Sequence, residues 1–289
     1  MMLRCQISVS NTAGRSRRLF VVRHGDVALG PPRVLYDPGA FGIYADGHWV
    51  GQAFAEHNMP LITYSRAGLY RSDPVPDGIV PDPLWHADDM ARLLDACGVS
   101  APVLLVAHSM AGLRAHAFAS QYPDRVAAVL LVDAVTPEQL GWWVRRSMVR
   151  LLTRSIGAWC WFARAEFSRP LLRLYPNYFD LEGAARRDKT RSWGDPAHLR
   201  ATQAEILAAT NPSLEEVLGP IEHCPVGSVA ATPVGAGDKK VLAFAAGAGQ
   251  RTERLYLPKA GHARLLSPTY AVKLAALGMA LMGATACPR

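Results

Sequence analysis

The sequence predicts an α/β protein, with a mostly parallel central sheet, flanking helices and an inserted helical cap. Three observations carry that reading. Short β-rich runs alternate with helical patterns through the first half of the chain. The inner runs, such as Val103–Val106 and Val129–Val132, are continuously apolar, as strands buried on both faces must be. After Asp133 the rhythm breaks, and strand-like runs return only near residue 225.

Taken in order, strands are expected at 17–24 (RRLFVVRH), 33–37 (RVLYD), 61–65 (LITYS), 102–108 (PVLLVAH) and 127–133 (AAVLLVD). Helices are expected between them at roughly 48–58, 84–97 and 110–122. Residues 137–222 are rich in Trp, Arg and Leu and lack a clear strand. Strand patterns resume at 225–232 (PVGSVAAT) and 254–258 (RLYLP), and a helix pattern closes the chain at 267–282. One core therefore comes from two segments, 1–136 and 223–289, with 137–222 as the cap.

Half of the 289 residues are hydrophobic and the mean hydropathy is +0.06, enough apolar material for a large core. The formal net charge is +7 and the pI about 9.3. Much of the basic excess lies at roughly 145–191, which weighs against a nucleic-acid partner. Cys5, Cys97, Cys160, Cys224 and Cys287 are scattered and odd in number, without metal-ligand spacing, so neither a disulfide framework nor a zinc site is expected. No secretory signal is visible at the start. No run reaches the ~18–20 apolar residues a spanning helix needs. The expectation is a soluble, cytoplasmic protein. Oligomeric state does not follow from the sequence.

The chemistry centres on Val103-Leu-Leu-Val-Ala-His-Ser109-Met-Ala-Gly112, where an apolar strand runs into a serine and a helix leaves at once. Such a turn must be sharp, and it lifts the hydroxyl clear of the sheet. Only small residues fit two positions to either side, and Ala107 and Ala111 stand there. The pattern matches a nucleophile elbow with alanine in place of both usual glycines. The N–H of Met110, in the first helical turn, can stabilise an oxyanion. An ordinary buried turn containing a serine is the bland alternative. A free serine hydroxyl is a poor nucleophile at neutral pH and needs a base. In the order Ser…acid…His, the base falls after the last strand, where Leu255-Tyr-Leu-Pro-Lys-Ala-Gly-His262 offers His262.

These segments, together with D-P-G-A-F-G at 37–42, Y-S-R-A-G-L-Y-R-S-D-P at 64–74 and Y-P-D-R-V-A-A-V-L-L-V-D at 122–133, resemble the α/β-hydrolase superfamily. The resemblance is to its serine-nucleophile, lipase/esterase-like branch with a helical cap, and it covers most of the chain outside 137–222. It implies a second oxyanion donor from the N–H of Ala40 or Phe41, and a carboxylate that holds the histidine tautomer. Asp238, after the strand at 225–232, has the usual family position and is favoured, while Asp133, at the end of the preceding strand, is the alternative. The chain departs from the family pattern at Pro38-Gly39, where His-Gly is usual, and at Ser65, where the Asp of D-R-x-G is usual.

Other motifs compete. Val21-Val22-Arg23-His24-Gly25 resembles the R-H-G of histidine phosphatases, with His108 as a potential second histidine, but that pattern leaves Ser109 and its small neighbours unexplained. The GAG tripeptides at 235–237 and 247–249 complete no dinucleotide fingerprint. Arg146, Arg150 and Arg154 recur every four residues in a basic amphipathic stretch. That stretch reads either as a surface resting weakly on lipid or as a cap helix with its apolar residues inward, and the latter is preferred. The resulting expectation is an esterase acting on an apolar, ester-like small molecule without metal or organic cofactor. Acyltransferase, C–C hydrolase and turnover-free ligand sensor are the rivals on the same scaffold.

Overall fold

The computed structural model describes residues 2–10, 16–139, 146–164, 172, 174, 176–211, 214, 217–231, 251–257 and 259–283. Eight strands form one sheet: β1 (Met2–Ser10), β2 (Ser16–His24), β3 (Val34–Asp37), β4 (Leu61–Ser65), β5 (Val103–His108), β6 (Val126–Val132), β7 (Val226–Ala230) and β8 (Thr252–Tyr256). Their order is β1-β2-β4-β3-β5-β6-β7-β8. The β1–β2 and β2–β4 pairs are antiparallel, and every other pair is parallel.

Alternation along β5 shows why its sequence is apolar throughout. Val103, Leu105 and Ala107 pack on one side with Leu93 and Leu94 of α2 (Pro83–Ala96) and Phe118 of α3 (Ala111–Gln121). Leu104 and Val106 pack on the other with Phe54 of α1 (His48–Glu56) and Leu274 and Met279 of α7 (Pro268–Leu281). A strand covered on both faces has no solvent side on which to place polar residues. Helix starts follow local chemistry: Asp82 caps α2 by accepting from the Trp85 N–H at 2.8 Å, with Pro83 in the first turn.

Two sequence expectations need correction. β1 was absent from the expected strands, although Leu3, Cys5, Ile7 and Val9 alternate strictly with Arg4, Gln6, Ser8 and Ser10. As an edge strand it buries Val9 and half-buries Cys5 and Ile7 on that side while Leu3 stays exposed, so it shows period-2 alternation and no continuous apolar run. The second correction concerns the helices between β6 and β7, α4 (Arg146–Ala163), α5 (Gly183–Ser192) and α6 (Pro196–Ala209). α4 packs against α6 through Ile156 and Cys160, while Leu151, Leu152 and Trp161 are exposed. Its buried strip is too narrow to take all of its apolar residues, so an apolar face remains on the outside. Among the described residues no helix is long and apolar enough to cross a membrane.

Candidate active site

Strand register sets the site. His108, the last residue of β5, pairs with Val132, the last of β6, and Val132 pairs with Val229 of β7. Ser109 and Asp133 are therefore the next residues at the carboxyl ends of neighbouring parallel strands. Both take left-handed backbone, with φ of 57° and 44°. That conformation is costly for residues with a Cβ and persists only where surroundings enforce it. At Ser109 the enforcement is visible: its N–H donates to the Val132 carbonyl at 3.1 Å, and its own carbonyl accepts from Gly112 and Val135 at 3.1 and 2.9 Å. Ala107 and Ala111 are fully buried at the turn, and any Cβ on Gly112 would overlap the Val135 carbonyl. The small residues are thus needed for close approach of strand, turn and helix.

His262 follows β8 and precedes a short helical turn, Arg264–Leu266, that leads into α7. Its Nδ1 lies 2.5 Å from Asp133 Oδ2, and the other carboxylate oxygen accepts from the Ala231 N–H at 3.4 Å. Burial pushes the Asp133 carboxyl up. The hydrogen bond and charge of His262 and the Ala231 N–H outweigh burial, and the net shift is downward. The acid that meets the histidine is therefore Asp133. Asp238 and both GAG tripeptides lie outside the described residues. His108 also supports the loop: its Nε2 is 3.2 Å from the His262 carbonyl and its ring lies 4.6 Å from that of His262. Burial first, then the neighbouring His262, lowers His108 to about 3, so it is neutral and donates through Nε2.

The loop after β3 presses on the serine. A Cβ on Gly39 would stand 2.8 Å from Ser109 Cβ and 3.3 Å from its Oγ. Gly39→Ala must shift the serine or the loop and, under the esterase reading proposed below, is expected to lower kcat roughly 10²–10³-fold, the scale of a lost oxyanion donor, with a lowered thermal midpoint. Steady-state kinetics beside a melting curve check this, and near-normal kcat would show that the loop has room to spare.

Ala40, Phe41 and Met110 are partly buried and pack against Ile156 of α4 and Leu199 and Ile206 of α6. Phe41 has φ of 57°, stacks on Trp193 at 4.7 Å, and its carbonyl accepts from Lys189 Nζ at 3.0 Å. Sequence reasoning missed the buried charges around this loop, Asp37, Arg66, Arg114, Lys189 and Glu205. Arg66 stood in a noted motif, but nothing local to Glu205 marks a partner 139 residues away.

The histidine-phosphatase reading does not survive the topology. β2 runs antiparallel, so His24 pairs with Leu61, the first residue of β4, at the end of the strands opposite to His108. His24 is buried against Gly51, and burial, then His48, lowers it to about 3. The open depression of about 480 Å³ near it, lined by Asp26, Gln52 and Glu56 among others, is remote from Ser109 for the same reason. Among the described residues no group of three or more His, Cys, Asp or Glu could hold a metal ion.

Sheet order, one reversed strand and a serine turn after β5 together define an α/β-hydrolase fold. Residues 32–147 match the family described as alpha/beta hydrolase fold. Solved structures similar to the chain include a thermophilic esterase from Thermogutta terrifontis (20% identity, TM-score 0.67, covering 98% of this chain and 99% of that one). They also include a protein from Salmonella enterica provisionally classed as an acyltransferase (20%, 0.70, 96% of each chain). The epoxide hydrolase CorEH is a third (15%, 0.66, 97% and 99%). At these identities the likeness is one of fold. A curated relative, the "Probable transporter efuK" of Hormonema carpetanum, is 33% identical over 110 residues, which is 37% of this chain and 16% of that protein. The chain shares the α/β-hydrolase fold with these structures.

Proposed function

We propose that this protein is a serine hydrolase that cleaves a carboxylic ester, or a similar acyl bond, of a small to medium apolar substrate. The observation that carries the reading is the His262–Asp133 pair at 2.5 Å, at the strand ends that also present Ser109. Asp133 engages Nδ1, so Nε2 is the nitrogen available as base. Ser109 Oγ would attack the carbonyl carbon as His262 takes its proton, and Asp133 would stabilise the imidazolium. The N–H of Met110, with that of Ala40 or Phe41, would hold the oxyanion. Collapse expels the alcohol, which receives the proton from His262. Water, activated by the same histidine, then releases the acid and restores Ser109.

A serine at 109 argues against epoxide opening, which in this fold uses a carboxylate nucleophile. The apolar contacts of Phe41, Met110, Leu199 and Ile206 favour an apolar acyl or alcohol portion and a capping role for the helices between β6 and β7. The test is hydrolysis of p-nitrophenyl esters of increasing acyl length. Wild type should turn over, while folded Ser109→Ala and His262→Ala should lose on the order of 10⁶-fold in kcat. Wild-type inertness on every ester, with Ser109 still labelled by a serine-reactive phosphonate, would refute the substrate class and leave the nucleophile.

A further inference from the structure

Arg66, the residue after β4, is completely buried and all five of its N–H donors have acceptors. Nε and one Nη2 hydrogen go to Glu205 Oε1 and Oε2, at 2.9 and 2.8 Å, from α6. The other Nη2 hydrogen goes to the Gly39 carbonyl at 3.0 Å, and Nη1 serves the Pro38 carbonyl at 2.6 Å and Asp37 Oδ1 at 3.3 Å. One planar guanidinium thus joins the inserted helices to two successive carbonyls of the loop that lies on Ser109. The described peptide bonds are all trans, so each carbonyl points opposite to the N–H of the next residue. Fixing the Pro38 and Gly39 carbonyls on Arg66 therefore fixes the N–H directions of Gly39 and Ala40.

We propose that Glu205 is a positioning residue for the oxyanion loop: by holding Arg66 from α6 it sets the Gly39 and Ala40 N–H groups, and so couples docking of α6 to competence of the site. The coupling rests on the reading of Ala40 as part of an oxyanion hole. Two further contacts act in the same sense. Lys189 of α5 donates to the Phe41 carbonyl and to Asp46 at 2.8 Å, and Trp193 stacks on the Phe41 ring. Lys189 and Trp193 reach the loop directly from the segment between β6 and β7, at the strained backbone of Phe41, whereas Glu205 reaches it through Arg66. The Pro38 carbonyl also accepts from Arg114 at 2.6 Å and the Gly39 carbonyl from the Gly42 N–H at 3.1 Å. Undocked from that segment, Arg66 would keep Asp37 but lose the two carboxylate bonds that fix its plane.

Two variants of the full chain test this. Glu205→Gln keeps the shape but not the charge, and Arg66→Lys keeps the charge but cannot span five acceptors in one plane. Both should lower kcat about 10- to 100-fold with KM unchanged, because an oxyanion donor misplaced by a fraction of an ångström acts on the transition state alone. The amide resonances of Gly39 and Ala40 should move in ¹⁵N-glycine- and ¹⁵N-alanine-labelled protein. Asp89→Asn, which breaks the buried Arg17–Asp89 pair away from the site, is the stability control. It should cost a comparable thermal midpoint while leaving kcat and both amides unmoved. Unchanged kcat and amides in either folded variant, or an equal loss in Asp89→Asn, would overturn the proposal. An inert wild type would sink the esterase reading alone, since the two amides still decide the coupling.

Discussion

Asp133→Asn is expected to lower kcat on the order of 10⁴-fold, while Asp238→Asn stays close to wild type. The asparagine keeps the shape but offers no charge to the imidazolium, and its amide can favour the wrong histidine tautomer. Whole-chain folding should survive, because Asp133 lies at a strand end where its side chain is 18% exposed. The same substitution has a signature in stability. A carboxyl depressed in the folded state stabilises fully above its unfolded value and loses that contribution as pH falls through the folded one. Asp133 is shifted down from an ordinary value of 3.8. The stability gap between wild type and Asp133→Asn should therefore be complete above about pH 4 and close below it. Melting curves from pH 7 down to the acid limit, beside ester kinetics, measure both. Equal activity of the two aspartate variants would remove Asp133 from the triad.

Asp37→Asn should cost about 3–5 kcal/mol of stability, far more than a surface charge change. Asp37 is buried and accepts from Arg114 Nε at 2.6 Å, Tyr64 Oη at 3.1 Å and Arg66 Nη1 at 3.3 Å. Arg66 would retain Glu205, but Arg114 would keep only the Pro38 carbonyl, leaving a buried guanidinium without a counter-charge. Tyr64→Phe removes one of the same hydrogen bonds without stranding a charge, and should cost only about 1 kcal/mol. Urea unfolding of the two variants separates charge stranding from simple hydrogen-bond loss. Comparable midpoints would mean that the cluster tolerates a neutral centre.

The fold and the serine turn were legible because their signals are local. A strand covered by helices on both faces must be apolar at every position, as Leu104 and Leu105 are on opposite sides of β5. A serine lifted out of a strand–helix turn must have small neighbours, and Ala107, Ala111 and Gly112 are contiguous with it in sequence. β1 carries an alternating signal of a different kind from the continuous apolar runs of the inner strands.

The rest depended on distance in space. Bringing Asp133 to His262 needed the β5–β6–β7 register and the His262 loop, which joins residues 129 positions apart. The His24 motif looks chemical in sequence, and only the reversed direction of β2 places it at the opposite end of the strands. Glu205 sits in an ordinary helical pattern, and its meaning arises wholly from meeting Arg66. Sequence by itself determined which backbone shapes are affordable, because those are set by neighbours along the chain. Tertiary structure decided which charges face one another, because a buried ion pair is stable only where packing delivers both partners to the same few ångströms.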